Sequence, residues 1–436
     1  MSPELITLLF FGGLLVLLLL GTPLSFALGG LSSVFLYATW GPEGFFMVGS
    51  RLWSTMGSFT LISIPMFVLM ALILEQTGVA RALYRMMHLW VGGLPGGLAI
   101  GTVLICTIFA SMVGISGAAV VAMGAVALPA MLSRGYDKEL ALGCINAGGG
   151  LGVLIPPSVL MIIYSMNTGA SVGKLFAAGM MPGLLLAVLV SLYIAIRCFL
   201  QPQLAPALPK DQRGTWPEKF AALRAVALPL LIVSMVLGSI LSGIATLTES
   251  AALGVLGALL SSLLDRSFSW KMLQGATVKT LHITAMIMWI FIGAHVFNTA
   301  YNAMGAQTMI MSLMQDIPGG YWGSLFVMLL IVFLMGLVLD PVGIMLITLP
   351  VFMPIVKQYG IDPVWFGALF VIALEIGYMT PPFGFNLFYL RGVAPPEITM
   401  GDIYRSVWPY VSVVFLGLFL VAMFPAIALW LPSVLF

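Results

Sequence analysis

Polar side chains are scarce in this 436-residue chain, and those inside apolar stretches are the groups able to do chemistry. Charge within a membrane is costly and usually functional. The acidic candidates are Glu249, Asp340 and Glu375, with His282 and His295 in another segment. Asp340 stands directly before Pro341 and suits cation binding or, more simply, the capping of the next helix. Glu249, within Thr246-Leu-Thr-Glu-Ser250, reads as the cap of a helix start near an interface. Glu375 is the strongest acidic candidate for function. His282 and His295 read as hydrogen-bonded core residues. They form no chain of acids and histidines of the kind proton pumps use.

Hydroxyls and amides fit a site better. Ser111, Ser116, Asn146, Ser158, Thr380 and Asn386 lie in or near two stretches that must interrupt helices. These are Gly148-Gly-Gly-Leu-Gly-Val-Leu-Ile-Pro-Pro-Ser158 and Glu375-Ile-Gly-Tyr-Met-Thr-Pro-Pro-Phe-Gly384, each with a Gly four residues before Pro-Pro. Pro removes backbone donors and Gly lets the chain bend, so a helix entering either stretch breaks. Broken helices persist at membrane depth only where the freed backbone is buried in protein or lines a cavity. A pair of them in matching halves points to a transporter's binding site. Freed carbonyls and hydroxyls can hold sodium, while half-helix N-termini suit an anionic substrate. Taken singly, each Ser or Thr more often bonds back to its own helix. The repeated setting raises the group above that simpler role.

Other chemistries find no support. Thr168-Gly-Ala-Ser-Val-Gly-Lys-Leu175 echoes a phosphate loop, but its first Gly is one residue too close and Leu175 replaces the required hydroxyl. No nucleophile–base pair, HExxH or Cys/His cluster occurs, so the chain is not expected to be an enzyme. Cys106, Cys144 and Cys198 are scattered and read as small core residues. A net charge of +2 without a dense basic patch argues against nucleic acid.

The elements that must position these groups are membrane helices. Hydrophobic residues make up 61% of the chain and charged ones 7%, far below the quarter or so of soluble domains. Met1-Ser-Pro-Glu-Leu lacks a basic region and a cleavage site, so a first membrane helix is expected there rather than a cleaved signal. Apolar segments recur from end to end, and some are too short to cross about 30 Å of hydrocarbon. The expectation is an all-α integral membrane fold with roughly eleven crossings and two re-entrant hairpins. Residues 1–199 form a first repeat, 200–221 a cytoplasmic linker and 222–436 a second repeat.

The repeat rests on particular residues. Pro129, Gly135, Asp137, Gly152, Pro156, Pro157 and Tyr164 fall without gaps on Pro354, Gly360, Asp362, Gly377, Pro381, Pro382 and Tyr389. Most are residues that set backbone shape. Arg197, Lys210, Arg213, Lys219 and Arg224 place the linker in the cytoplasm, as do Arg81, Arg85, Arg266, Lys271 and Lys279 their own loops. The loop 302–319, with Asp316 and no Lys or Arg, is expected to face outward, which makes the halves inverted copies. Residues 79–90 and 265–273 suit helices lying at the membrane surface.

At this point the motifs resemble a known family. Ala127-Leu-Pro-Ala-Met-Leu-Ser-Arg-Gly-Tyr-Asp137, Gly152-Val-Leu-Ile-Pro-Pro-Ser158, Gly169-Ala-Ser-Val-Gly-Lys-Leu-Phe176 and Gly179-Met-Met-Pro-Gly183 look like the large membrane subunit of tripartite ATP-independent periplasmic (TRAP) transporters. Leu339-Asp-Pro-Val342, Asp362-Pro-Val-Trp-Phe366, Glu375 to Asn386 and Glu397-Ile-Thr-Met-Gly-Asp-Ile403 extend the likeness through the second half. The resemblance implies a multi-pass bacterial inner-membrane transporter of elevator type, importing a small organic acid with sodium, two or more ions per cycle. It also implies a small membrane subunit and a periplasmic binding protein as partners. By resemblance the first sodium site maps onto Ser111, Gly150, Val153 and Pro156, and the second onto Tyr378, Thr380 and Pro381. The substrate would lie near Ser116, Asn146, Ser158 and Asn386. Where many members carry further hydroxyls or an Asp, this chain reads Ser116-Gly-Ala-Ala-Val-Val-Ala122, which leaves fewer side-chain ligands. The alternative is a proton-coupled or binding-protein-independent organic-anion carrier.

Overall fold

The computed structural model describes residues 3–114, 116–209, 214–315 and 317–436. Lys210, Arg213 and Asp316 lie outside them. The first half contains α1 (Pro3–Leu19), α2 (Leu24–Trp40), α3 (Glu43–Met56), α4 (Phe59–Gln76), α5 (Val79–Val91), α6 (Gly97–Val113), α7 (Ser116–Leu132), α8 (Lys138–Leu151), α9 (Val159–Thr168) and α10 (Val172–Leu200). The second contains α11 (Trp216–Leu241), α12 (Leu247–Leu264), α13 (Trp270–Ala303), α14 (Ala306–Gln315), α15 (Gly320–Gly336), α16 (Pro341–Gln358), α17 (Pro363–Met379), α18 (Phe385–Val393), α19 (Met400–Met423) and α20 (Ala426–Leu435). Among the described residues the structure is otherwise turns and one short 3-10 turn at Pro202–Leu204.

Six of these helices are long and apolar enough to span a membrane, and eight apolar ones of 10–17 residues are shorter. Several of the short ones end at identifiable turns or breaks. α6 ends at Gly114 (φ 66°) and α7 starts at Ser116, their arms side by side. α15 and α16 pair in the same way around residues 337–340. α8 and α9 are separated by the first Gly/Pro-Pro stretch, and α17 and α18 by the second. The bond between the two prolines is cis in both.

The halves repeat each other in local chemistry and in packing. Gly135 (φ 77°) ends the α7 segment and Asp137 caps α8 through the Leu140 amide at 3.0 Å. Gly360 (φ 64°) ends the α16 segment and Asp362 caps α17 through the Val364 and Trp365 amides. A left-handed turn favours Gly, and a carboxylate cap satisfies amides a helix start leaves open. Packing is reciprocal: α2 lies on α13 as α12 lies on α4, α7 on α18 as α16 on α9, and α8 on α19 as α17 on α10. Such an exchange of partners is what a two-fold relation between halves produces. α17 is buried from Val364 to Met379 and α8 from Leu140 to Leu151, which puts both broken helices at the centre.

The linker is held, too. The Leu208 amide donates to the Gly92 carbonyl at 2.8 Å, and the Leu204 carbonyl accepts the Asp137 amide at 2.8 Å. α5 packs on α6 and α11, with Trp90, Trp216 and Phe220 clustered and Lys219 5.0 Å from the Trp216 ring centroid. An aromatic cluster with a basic residue suits the membrane–water boundary.

Three expectations need correction. Residues 265–273 form no separate surface helix: Asp265 ends α12, Arg266 turns the chain at φ 55°, and Ser269 caps the 34-residue α13. The 302–319 loop carries α14, and 43–56 carries α3; both are short and amphipathic, without the long apolar run that marks a spanning helix. His282 is exposed rather than in the core, whereas His295 is half-buried and stacks on Phe291.

Candidate functional site

Two helix breaks and two hairpin turns lie together in the middle of the fold. A Cβ on Gly114, at the first hairpin turn, would stand 2.9 Å from the Pro157 carbonyl of the first break. A Cβ on Gly152 would meet Ala110 of α6 within 1.7 Å. In the second half, Gly377 and Gly336 pack backbone to backbone where α17 crosses α15, a Cβ on Gly377 falling 2.7 Å from the Gly336 Cα. Any larger residue at these crossings forces the helices apart. Sequence reasoning marked Gly152 and Gly377 but missed Gly114 and Gly336. Their nearness to the turns was the available signal.

The substrate candidates divide. Ser116, at the start of α7, donates to Asn386 Oδ1 of α18 at 2.6 Å, and both side chains are buried. That bond joins positions 270 residues apart and ties one repeat to the other. Asn146, in mid-α8, is fully buried, and neither its amide nitrogen nor its oxygen has a hydrogen-bond partner. Ser158 serves the break itself: its hydroxyl donates to the Val153 carbonyl and accepts from the Met161 amide as the α9 cap.

The ion candidates sit at C-terminal ends of half-helices, where carbonyls are left over. Ser111 donates to the Ile108 carbonyl at 2.7 Å, and Thr380 to the Ile376 carbonyl at 2.6 Å. Both hydroxyls bond back to their own helix, yet each keeps lone pairs for a cation. The Gly150 carbonyl accepts from the Val153 amide, and the Val153 carbonyl from Ser158. The Gly150 carbonyl also accepts from the Gly152 amide, whereas the Val153 carbonyl retains a second lone pair. Pro156 is buried in the first break, and Pro381 is half-buried in the second. Tyr378 is buried with an unpartnered hydroxyl, and its own carbonyl lies close under Gly384.

The acids resolve cleanly. Asp340 caps α16, its Oδ1 accepting from the Gly343 amide at 3.0 Å. Glu249 is the capping-box partner of Thr246 and is exposed. Glu375 alone is fully buried with both oxygens unpartnered. The N-termini of α7, α9, α16 and α18 all begin at the breaks and turns, and the C-termini of α6, α8, α15 and α17 end there. Positive and negative dipole ends thus meet at one place, which favours an anion and cations side by side.

A family model described as "Tripartite ATP-independent periplasmic transporter, DctM component" matches residues 11–427. The chain belongs to the DctM family of TRAP transporters. It is 33% identical to the C4-dicarboxylate TRAP transporter large permease protein DctM of Vibrio cholerae, over 96% of each chain. It is 31% identical to the ectoine TRAP transporter large permease protein TeaC of Halomonas elongata, over 96% of this chain and 97% of that one. Among solved structures it is similar to the YdaH transporter of Alcanivorax borkumensis, with a TM-score of 0.62 at 14% identity, covering 95% of this chain and 98% of that one. That last likeness concerns fold alone and agrees with an all-α membrane transporter. Membership makes the chain a TRAP large permease.

Proposed function

We propose that this chain is the permease of a sodium-coupled importer that takes a small organic acid from a periplasmic binding protein and works beside a small membrane subunit. The observation that carries the reading is the meeting of both breaks and both hairpin turns, bridged by Ser116 and Asn386. Sodium would be held by Ser111 with the Gly150, Val153 and Pro156 carbonyls, and by Thr380 with the Tyr378 and Pro381 carbonyls. A carboxylate would lie between them, facing helix N-termini and within reach of Ser116, Asn146 and Asn386. An elevator motion would carry α6–α10 and α15–α19 as one body past α1–α4 and α11–α14. Relatives named for a C4-dicarboxylate and for ectoine are similar to this chain to nearly the same degree, 33% and 31% identical, so the cargo would be set by finer features and by the binding protein.

The test is uptake into proteoliposomes holding the chain and its small subunit, with labelled organic acids. An inward sodium gradient is compared with an equal potassium gradient, with and without the binding protein. Uptake is expected only with sodium and the binding protein together. Uptake driven by a pH gradient and indifferent to sodium would replace the ion assignment. Flux without the binding protein would make the chain a self-sufficient organic-anion carrier.

A further inference from the structure

A large apolar groove lies beside the second hairpin, outside the ion and substrate assignments. It encloses about 730 Å³ between α1 and α14 on one side and α15 and α16 on the other. Under the proposed motion α1 and α14 stay still while α15 and α16 travel, so the groove straddles the boundary between them. One end reaches Leu339, the residue before Asp340 at the hairpin turn. Among the described residues lining it, Thr348 alone carries a polar side chain, and its hydroxyl already donates to the Ile344 carbonyl at 2.7 Å. The groove thus offers no free donor to a carboxylate and no cluster of oxygens to a cation, and an apolar space of this kind stays dry. Leu15, Leu19, Leu313, Leu334 and Val338 form an exposed rim, whereas Ile347 and Val351 on the α16 floor are buried. The repeat does not demand this opening. Under the register that pairs Gly152 with Gly377, the mates of α14, α15 and α1 are α5, α6 and α11, and α5 packs along both α6 and α11. α14 touches α15 and α1 far more sparsely, which leaves the groove between them.

We propose that the groove is a binding site for an acyl chain of a bilayer phospholipid, held between the second hairpin and the stationary helices. Three observations select a lipid tail over a helix of a partner subunit. The rim continues into the outward faces of α1 and α15, where Leu8, Val16, Phe326 and Leu330 are exposed, so a chain enters sideways from the bilayer. Helices associate in lipid through small residues and shared polar groups, and of these the lining has only Gly12 and the already bonded Thr348. The rest is Leu, Ile, Val, Met and Phe, which gain as much from a lipid tail as from another side chain. Length agrees as well. The lining runs from Phe11 to Leu19 on α1 and from Ile331 to Leu339 on α15, about 12 Å on each at helical rise. That is most of one leaflet's share of a hydrocarbon core about 30 Å thick. A tail there supplies the dispersion contacts that the lining would otherwise lack. For α15 and α16 to slide past α1 and α14, the chain must shift or leave. That consequence rests on the transport reading, while the binding site does not.

The test uses the complex in vesicles of phosphatidylethanolamine and phosphatidylglycerol, doped with phosphatidylethanolamine that carries a photoreactive diazirine on one acyl chain. After illumination, peptide mass spectrometry is expected to find labels on Ile347 and Val351 of the floor as well as on the rim. Gly12→Phe fills the groove from α1, and a Cβ at Gly12 has nothing within 4 Å to clash with. Floor labelling should fall several-fold in that variant, while labelling of the exposed Leu192 on α10 stays unchanged. Native mass spectrometry of the detergent-purified complex should show one bound phospholipid fewer. Labels confined to the rim, or a floor labelled equally in wild type and Gly12→Phe, would overturn the site. Floor labelling that appears only when the small subunit is left out would assign the groove to that subunit instead. If Gly12→Phe fails to assemble, Gly12→Leu takes its place, and the floor labels of the wild type decide on their own. Uptake is read separately. Replacing straight acyl chains by methyl-branched ones should slow the wild type, and Gly12→Phe should respond several-fold less. Equal responses would overturn the link between the chain and the motion. Absence of uptake altogether would count against the transport reading and leave the labelling result standing.

Discussion

At the scale of single residues, Ser111 and Ser116 make a discriminating pair. Both are buried hydroxyls beside the first hairpin turn, yet one bonds back to its own helix and the other crosses to Asn386. Ser111→Ala is expected to shift the sodium dependence of uptake while leaving the substrate response alone. Ser116→Ala removes the donor to Asn386 Oδ1, beside an Asn386 amide nitrogen that already lacks a partner. A lost hydrogen bond of this kind costs about 1–3 kcal/mol, so the substrate response should weaken roughly tenfold. Uptake titrated against sodium and against substrate checks both, and equal shifts in both curves would refute the division. Glycines give a structural counterpart: Gly152→Ala would drive its Cβ into Ala110 and should prevent assembly, since the neighbour is another helix and not a yielding side-chain tip.

Much of this was legible because Gly and Pro state backbone geometry directly. Gly152-to-Pro157 and Gly377-to-Pro382 announced breaks, and Asp340 and Glu249 announced helix starts. Glu375 was legible as unusual but not as the mate of Gly150, because its neighbour comes from the other half of the chain. His282 was misjudged for a physical reason. Lipid is as apolar as a protein core, so hydropathy does not say which face of a membrane helix is covered.

At the scale of elements, α5 is the one whose attachment should respond to pH. Tyr84 and His88 stack at 6.5 Å between ring centroids, next to Arg134 at the end of the α7 segment. The Tyr84 hydroxyl, His88 Nδ1 and Arg134 Nε are buried there without partners. Burial, and then the Arg134 charge, hold the His88 imidazole below its ordinary value of 6.5, while burial pushes the Tyr84 phenol up to about 12. A histidine that binds its proton less well when folded destabilises the fold as pH falls. The loss should begin below about pH 6.5 and grow until the folded-state value is passed. Thermal unfolding of the complex in detergent should therefore show a decline on the acid side that His88→Gln reduces. A variant with an unchanged acid limb would remove His88 from the account. By contrast, Glu249→Gln touches only an exposed capping box and should leave the unfolding temperature nearly unchanged, without altering transport.

At the scale of the whole molecule, the two breaks are unequal despite the repeat. The first is sealed: Gly114 lies against Pro157, and α10 presses on it where a Cβ on Gly179 would stand 2.2 Å from the Leu154 carbonyl. At the second, Pro382 and Phe383 are exposed, Phe383 by 53%, and the Pro382 carbonyl accepts only a tyrosine hydroxyl, that of Tyr404. Under the proposed transport reading, entry to the site would be easier from the second break, and the elevator motion would bring that break alternately to each side. If α15–α19 slide past α1 and α2, the contact between Gly343 at the start of α16 and Leu24 at the start of α2 must change. A Cβ on Gly343 would overlap the Leu24 side chain, at 1.9 Å from its Cδ2, so cysteines at these positions are close enough to join. The three native cysteines are buried and free, and would not compete. Oxidised Leu24→Cys/Gly343→Cys protein should lose uptake and regain it on reduction, relative to each single variant. Full uptake with the cross-link in place would mean that the second hairpin does not travel against the scaffold, and that both faces of the membrane reach the site through local opening at Pro382 and Phe383.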